Sequence, residues 1–276
     1  MVIGFDYKGV HGSEYGIYCK TEKRSLLPAL RRREFEIYGK SGIIDIGNND
    51  YAPKIMTVKL TYIGANLVDL RSKARLLASW LNSSTWGKLI FDDEPDKYYL
   101  ARVKDGIDLS NILMAGEMTV EFECQPFAYM CTSTGSDPTW DEADFPWITD
   151  IPWNMVQSYQ FSATGTTNYT FEHPGTQEIG CNSPQGSKFD IIVSGSWTTL
   201  ELTLNEKTIE YTEADSGTLV IDNVNMEIKL DGVNKLSKLD GDIDSFLTVI
   251  PGENTIAIDG TGLDITVTID FIPMWL

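Results

Sequence analysis

Residues 89–102 read Leu89-Ile-Phe-Asp-Asp-Glu-Pro-Asp-Lys-Tyr-Tyr-Leu-Ala-Arg102, an apolar run that meets four carboxylates and a proline before a second apolar run begins. Pro95 has no backbone N–H to donate to a β-ladder, and clustered acidic residues beside proline are typical of turns. The stretch therefore predicts a β-hairpin with strands at 88–91 and 97–103 and an acidic tip at 92–96.

A helix is predicted immediately before this hairpin, between Asn66 and Asn82. Its apolar residues recur at helical spacing, at Leu70, Ala74, Leu77 and Leu81. Asn66 is of a type that caps helices through its side-chain oxygen.

Alternating strands are predicted on both sides of the helix and hairpin. In residues 54–63 and 117–124, apolar side chains alternate with polar ones, so one face of each strand should be buried. Residues 1–130 therefore read as a β-rich α+β domain with one helix. Because one helix cannot cover a whole sheet, the remaining edges must be closed, capped or covered by neighbouring subunits.

Charge divides the chain near residue 130. Residues 1–130 contain 17 Lys and Arg against 17 Asp and Glu, whereas residues 131–276 contain 5 against 23 and so carry the whole net charge of −18. This step predicts a domain boundary, and the acidic second half would repel nucleic acid. There is no apolar run of about 18 residues, so neither a signal peptide nor a membrane span is expected.

The second half reads as a linker followed by a β-sandwich, which makes the whole chain mainly β. Residues 131–188 are predicted to be a linker leading into the sandwich, and from Phe189 to Leu276 short alternating runs recur every 8–12 residues or so, as sandwiches require. The predicted strands include Thr208–Thr212, Thr218–Asp222, Met226–Leu230, Phe246–Ile250, Thr255–Asp259 and Ile265–Phe271.

Chemical motifs are scarce. The two histidines, the four scattered cysteines and the absence of a phosphate-binding loop or a nucleophile elbow predict no enzyme, no cofactor and no metal site. The acids of Asp240-Gly-Asp-Ile-Asp244 leave a calcium site open, but the twelfth position of an EF-hand loop would be Pro251, so an ordinary acidic loop is favoured. The basic run Pro28–Arg33 is either a contact to an acidic partner or a phosphate, or a solvated strand flank, and the flank is favoured.

The order of helix, acidic hairpin and Phe122-Glu-Cys-Gln-Pro-Phe-Ala-Tyr129 resembles the distal tail protein family of siphovirus-type bacteriophages, which have long, flexible tails. The resemblance also covers Gly4-Phe5, His11-Gly-Ser13, Tyr15-Gly-Ile-Tyr18, Gly39-Lys-Ser-Gly42, Ser194-Gly-Ser-Trp197, Leu219-Val-Ile-Asp222, Pro251-Gly-Glu-Asn254 and Trp275-Leu276.

This resemblance implies a ring of six N-terminal domains, each followed by a galectin-like β-sandwich. It implies a structural protein of a phage or prophage, assembled in the host cytoplasm and located at the distal end of the virion tail. Its expected partners are further copies of itself, the tail tube protein, the tail-associated fibre protein and receptor-binding baseplate proteins. Genome DNA would only pass through the ring.

A closed ring brings two different surfaces of one domain together. We predict that the strand edges around 54–63 contribute, together with the acidic hairpin. The hairpin residues concerned are Asp92, Asp93, Glu94, Pro95, Asp96, Lys97, Tyr98 and Tyr99.

An alternative function is carbohydrate binding by the second domain. Trp140, Trp147, Trp153 and Trp197 could stack on sugar rings beside acidic acceptors. The first three lie in the linker, where docking of the connection onto a domain is favoured over an exposed stacking platform, because Pro146 and Pro152 stiffen it.

Overall fold

A computed structural model describes residues 4–45, 50–82, 84–104, 109–112, 115–136, 159–240 and 246–276. The chain divides into two compact units, residues 1–128 with Leu276 and residues 129–275. In the described residues both units are built mainly of antiparallel strands, which confirms the predicted fold class.

The first unit contains one α-helix among its described residues, α1, Leu67–Leu81, and a 3-10 turn, Gly12–Tyr15. Its strands are β1 Phe5–Tyr7, β2 Val10–His11, β3 Ile17–Arg24, β4 Glu34–Phe35, β5 Ile44–Asp45, β6 Lys54–Ile63, β7 Gly87–Phe91, β8 Glu94–Val103, β9 Leu109–Ile112 and β10 Ala115–Cys124, with β11 Ala128–Met130 at the division.

The second unit adds a 3-10 turn, Leu236–Lys238, and twelve described strands. They are β12 Gln160–Ala163, β13 Thr167–His173, β14 Phe189–Trp197, β15 Thr199–Leu204, β16 Lys207–Tyr211, β17 Asp215–Asp222, β18 Glu227–Leu230, β19 Val233–Asn234, β20 Leu239–Asp240, β21 Gly252–Thr261, β22 Asp264–Phe271 and β23 Met274–Trp275.

The predicted helix is confirmed, with its cap. Asn66 Oδ1 accepts hydrogen bonds from the backbone N–H groups of Val68 and Asp69, at 3.0 and 2.9 Å. The helix buries Leu70, Leu77 and Leu81 as expected, and Trp80 as well, whereas Ala74 is half-buried. The helix therefore covers the sheet of the first unit with its leucine face.

The two predicted alternating strands, β6 and β10, lie side by side within that sheet, next to its edge strand β3. They pair without interruption from Lys54 opposite Cys124 to Ile63 opposite Ala115. The sheet order is β2-β1-β7-β8-β10-β6-β3. Because β6 is paired on both sides, its backbone edges are not free, and β3 is the edge strand of the sheet; a contribution of residues 54–63 to subunit contacts stays a prediction.

The second unit is the expected β-sandwich. One sheet has the order β12-β22-β14-β17-β18-β19 and the other β13-β21-β15-β16-β20. The sheets pack face to face, as shown by the rings of Phe171 on β13 and Phe271 on β22, whose centroids are 6.2 Å apart. A core of aromatic and branched side chains between two sheets is typical of sandwiches.

Two predictions in this half differ from the structure. Residues 160–173 of the predicted linker form β12 and β13, one strand in each sheet, because Phe161, Ala163 and Phe171 point inward between exposed polar residues. The predicted strand Phe246–Ile250 is instead a buried loop with a single bridge between Ile179 and Val249. Its apolar side chains Phe246, Leu247 and Val249 are buried in the core, but among the described residues only Ile179 bridges to this segment, so no strand forms.

Candidate subunit interface

The acidic hairpin has a shorter turn than predicted. Only Asp92 and Asp93 form the turn, and β8 already begins at Glu94, so the prediction of a five-residue tip is wrong. The pairing runs from Phe91 opposite Glu94 to Leu89 opposite Tyr99, with an irregularity between them. Pro95 lies in that irregular part, where its missing N–H leaves no ladder bond unmade.

Arg24, at the end of β3, organises the carboxylates of the hairpin. Its Nη1 lies 3.0 Å from Asp93 Oδ1, its Nη2 pairs with Glu94, and its guanidinium lies 4.5 Å from the Phe91 ring centroid. Tyr99 donates its hydroxyl to Glu94 Oε2 at 3.1 Å. Burial disfavours the charged guanidinium, but Tyr99, Glu94 and Asp93 outweigh it and raise the pKa of Arg24.

The other residues of the predicted interface also have partners in their own chain. Asp92 accepts hydrogen bonds from the Gly4 N–H at 2.7 Å and from His11 Nε2 at 3.0 Å. Lys97 bonds to Asp96 at 2.9 Å, and Tyr98 is buried beneath the Lys88 amine, 4.6 Å from its ring centroid.

The hairpin is thus tied to β1–β3 of its own chain. Asp92 and Asp93 still expose 44% and 45% of their side chains. A role of residues 92–99 in subunit contacts therefore stays a prediction.

Ser13, His11 and Asp92 form a hydrogen-bonded chain that superficially resembles a hydrolase triad. Ser13 Oγ lies 2.6 Å from His11 Nδ1. The same nitrogen accepts the Ser13 backbone N–H at 3.2 Å, which caps the 3-10 turn beginning at Gly12. The arrangement is therefore explained as a turn cap that Asp92 orients, and it stands in an exposed loop.

We expect Arg24→Ala to lower the free energy of unfolding by about 3 kcal/mol, because it leaves Asp93 and Glu94 without their shared cation and uncovers Phe91. The measurement is urea unfolding followed by circular dichroism. Arg32→Ala is the matched control, since Arg32 is exposed and among the described residues pairs only with Glu34, at 3.7 Å. That change should cost less than about 0.5 kcal/mol. Equal losses in both variants would contradict the assignment of Arg24.

Between β3 and β6 the chain forms a long hairpin, which we call the arm and define as residues 29–45 and 50–52. Leu30 bridges to Tyr51, and the N–H groups of Arg31 and Ala52 donate to Asp50 and Ala29, each at 2.7 Å. Further out, β4 pairs with β5, with Phe35 opposite Ile44.

The arm exposes large apolar side chains. Phe35, Ile37 and Ile43 are between 51% and 58% exposed, and Tyr38 is fully exposed. The basic residues Arg31–Arg33 at its base are exposed as well. The arm is not among the elements predicted from the sequence, although the Gly39-Lys-Ser-Gly42 turn between two apolar runs indicates a hairpin.

A second exposed apolar surface lies at the end of β6 and on α1. We call it the helix patch: Ile63, Leu67, Val68 and Leu76, which are between 59% and 75% exposed. On the helix, Val68 and Leu76 face away from the buried leucines. Exposed apolar side chains grouped on neighbouring elements in this way mark a candidate interaction surface.

The residues predicted for sugar binding or metal binding gain no support. Trp197 is only 3% exposed and donates its indole N–H to the Glu213 carbonyl at 3.2 Å, so the prediction that it stacks on sugar is wrong. Trp140, Trp147 and Trp153 lie outside the described residues, as do residues 241–245 of the acidic loop. In the described ranges, no cluster of three or more His, Cys, Asp or Glu could hold a metal, and no helix is long and apolar enough to span a membrane.

Comparisons with known proteins agree with this architecture. The family model of the phage tail protein RIFT-related domain matches residues 10–124, and that of the C-terminal domain of siphovirus-type tail components matches residues 180–275. Together the two models span well over half of the chain. No curated protein matches the sequence.

Among solved structures, the Dit protein of phage SPP1, described as "a paradigm of hub adsorption apparatus in Gram-positive infecting phages", is 18% identical over 100% of both chains, with a TM-score of 0.70. A chain of the phage p2 baseplate is 9% identical over 99% of this chain and 98% of that one, with a TM-score of 0.44. The first likeness shows a shared fold. On the two family models and this fold, the chain belongs to the distal tail protein family of siphovirus-type phages, the baseplate hub proteins of the tail.

Proposed function

We propose that this chain is a structural subunit of the tail tip, six copies of which close into a ring through their first units. The ring is the hub at the distal end of the tail, joining the tail tube to the baseplate or tail fibre, and it lets the genome pass. The sandwich units hold receptor-binding components. The protein acts by assembly in the host cytoplasm and not by catalysis.

The arm is the single observation that carries the proposal. A two-stranded hairpin is marginally stable in water on its own, because it lacks a third strand or a helix against which to bury its apolar side chains. Four large apolar side chains on such a hairpin therefore need a partner. A ring subunit meets another copy at this surface, and the balanced charges of residues 1–130 allow that contact without net repulsion.

Replacing Ile37 and Tyr38 with serine should convert the assembled protein to monomers, since it removes the apolar tip of the arm. Light scattering measures the mass, which we expect to be six times that of one chain before the change. The matched control is Val233→Ser, at an exposed apolar position in the second unit, and it should leave the mass unchanged. Assembly of the arm variant at wild-type mass would refute this use of the arm.

The position in the virion is tested separately. A gold-labelled tag on this chain should appear at the distal tip of the tail in electron micrographs of phage particles. Label along the tail tube or at the head would overturn the proposed hub role.

A further inference from the structure

The arm and the helix patch lie at opposite ends of one strand. The arm returns into β6 at Lys54, and the helix patch begins at Ile63, where β6 ends. The ten residues of β6 span about 30 Å. The first unit thus has exposed apolar side chains at each end of β6.

Neither surface covers the other within one chain. The arm residues Phe35 to Ile43 are exposed, and so are the helix-patch residues. Two different apolar surfaces on opposite ends of one domain are what a head-to-tail contact requires, because such a contact joins the front of one copy to the back of the next. Surfaces of an isologous dimer would instead pair with themselves.

Charge supports the same pairing. Glu36 lies between the apolar side chains of the arm and is exposed. Arg71 and Arg75 are exposed on the solvent side of α1, and among the described residues neither forms an ion pair with a carboxylate. Glu36 of the arm can therefore pair with Arg71 or Arg75 of another copy, while the exposed Lys40 in the turn of the arm adds a cation beside the apolar side chains.

We propose that the tip of the arm of one copy, which carries Ile37 and Tyr38, docks on the helix patch of the next copy of this chain. The inference rests on the proposed ring and names the two surfaces that meet in it. When this contact is repeated around an axis, the copies form a closed ring if the rotation between neighbours is a whole fraction of a full turn. In such a ring the arm of every copy is bound to the next copy. The same exposed side chains that are unfavourable in a single chain become buried in the assembly.

The test is a disulfide cross-link between copies of the full chain. The double variant Ile37→Cys with Val68→Cys should form covalent oligomers up to six chains on oxidation. Each single variant is a control for the native half-buried Cys131 and Cys181. Docked thiols meet at an effective concentration in the mM range, so the double variant should give at least about tenfold more oligomer than either single variant. A mixture of the two single variants should stop at dimers.

The failures are distinguishable. If light scattering shows a ring while the double variant cross-links no more than the single variants, the arm docks elsewhere and only the pairing is overturned. If the wild-type chain is monomeric and no cross-link forms, the proposed ring fails too.

A charge test is independent of thiols: Glu36→Arg should weaken assembly, and adding Arg75→Glu to it should restore assembly. If Glu36→Arg and Arg75→Glu each weaken assembly and the double variant assembles no better than the single variants, the pairing is contradicted.

Discussion

Replacing Gly195 with alanine is expected to lower the free energy of unfolding by about 4 kcal/mol or more. Gly195 has φ = +138°, a backbone region that residues with a side chain rarely adopt. It lies in β14, two residues before the strand ends at Trp197, opposite Gly217 on one side and Ile265 on the other. An added Cβ would overlap the Asp264 carbonyl oxygen and lie 2.9 Å from the Ile265 Cα.

The clash cannot be relieved by turning a side chain, because the atoms it meets are backbone. Separating β14 from β22 would break the ladder between two central strands of the six-stranded sheet. Urea unfolding followed by circular dichroism measures the loss. Gly165→Ala is the matched control: its Cβ meets nothing within 4 Å, so the change should stay within about 0.5 kcal/mol. A Gly195 variant as stable as the control would show that the strands can move apart cheaply.

Replacing Asn254 with alanine should cost about 3–4 kcal/mol, because one fully buried amide satisfies four hydrogen-bonding groups. Its Nδ2 donates to the carbonyls of Ile250 and Gly252, at 2.7 and 2.9 Å. Its Oδ1 accepts from the Ile250 N–H at 2.9 Å and from Asn205 Nδ2 at 3.0 Å. The substitution removes all four of these hydrogen bonds at a side-chain position that water does not reach.

Asn254→Asp separates this explanation from simple loss of volume. A carboxylate there would face two carbonyl oxygens, so burial would raise its pKa in the folded state above the unfolded value. The variant should therefore be least stable at neutral pH and regain stability as the pH falls through that raised pKa. Asn168→Ala, at an exposed position of β13, is the control and should change stability by less than about 0.5 kcal/mol. A pH-independent loss in the aspartate variant would contradict the role assigned to the amide.

These two residues belong to Ser194-Gly-Ser-Trp197 and Pro251-Gly-Glu-Asn254, segments on which the sequence resembles the tail protein family. In the structure, both Gly195 and Asn254 stabilise the β-sandwich. Gly195 allows a close approach of strands, and Asn254 holds the buried loop at 246–250 through Ile250. Trp197 belongs to the same core, with its ring centroid 6.0 Å from that of Tyr211. In these two segments that resemble the family, Gly195, Trp197 and Asn254 therefore serve the folding of the second unit and not binding.

The candidate interface was predictable only in part. The acidic hairpin stands out in sequence because four carboxylates surround a proline, but its partner Arg24 lies about seventy positions away, and no local pattern connects them. The arm was harder to recognise. Phe35, Ile37 and Ile43 read like core residues of short strands, but in the described part of the chain no third strand pairs with β4 or β5, and these side chains are exposed.

By itself, the sequence determined the mainly β class, the capped helix at 67–81 and the faces of β6 and β10, because the period of apolar residues and the chemistry of a helix cap are local properties. Tertiary structure alone decided which apolar residues are buried. It placed Trp197 and the loop at 246–250 in the core, paired β6 on both sides, tied the hairpin acids to Arg24, and left the arm and the helix patch exposed. Burial depends on what packs against a residue from distant parts of the chain, and a local pattern does not contain that information.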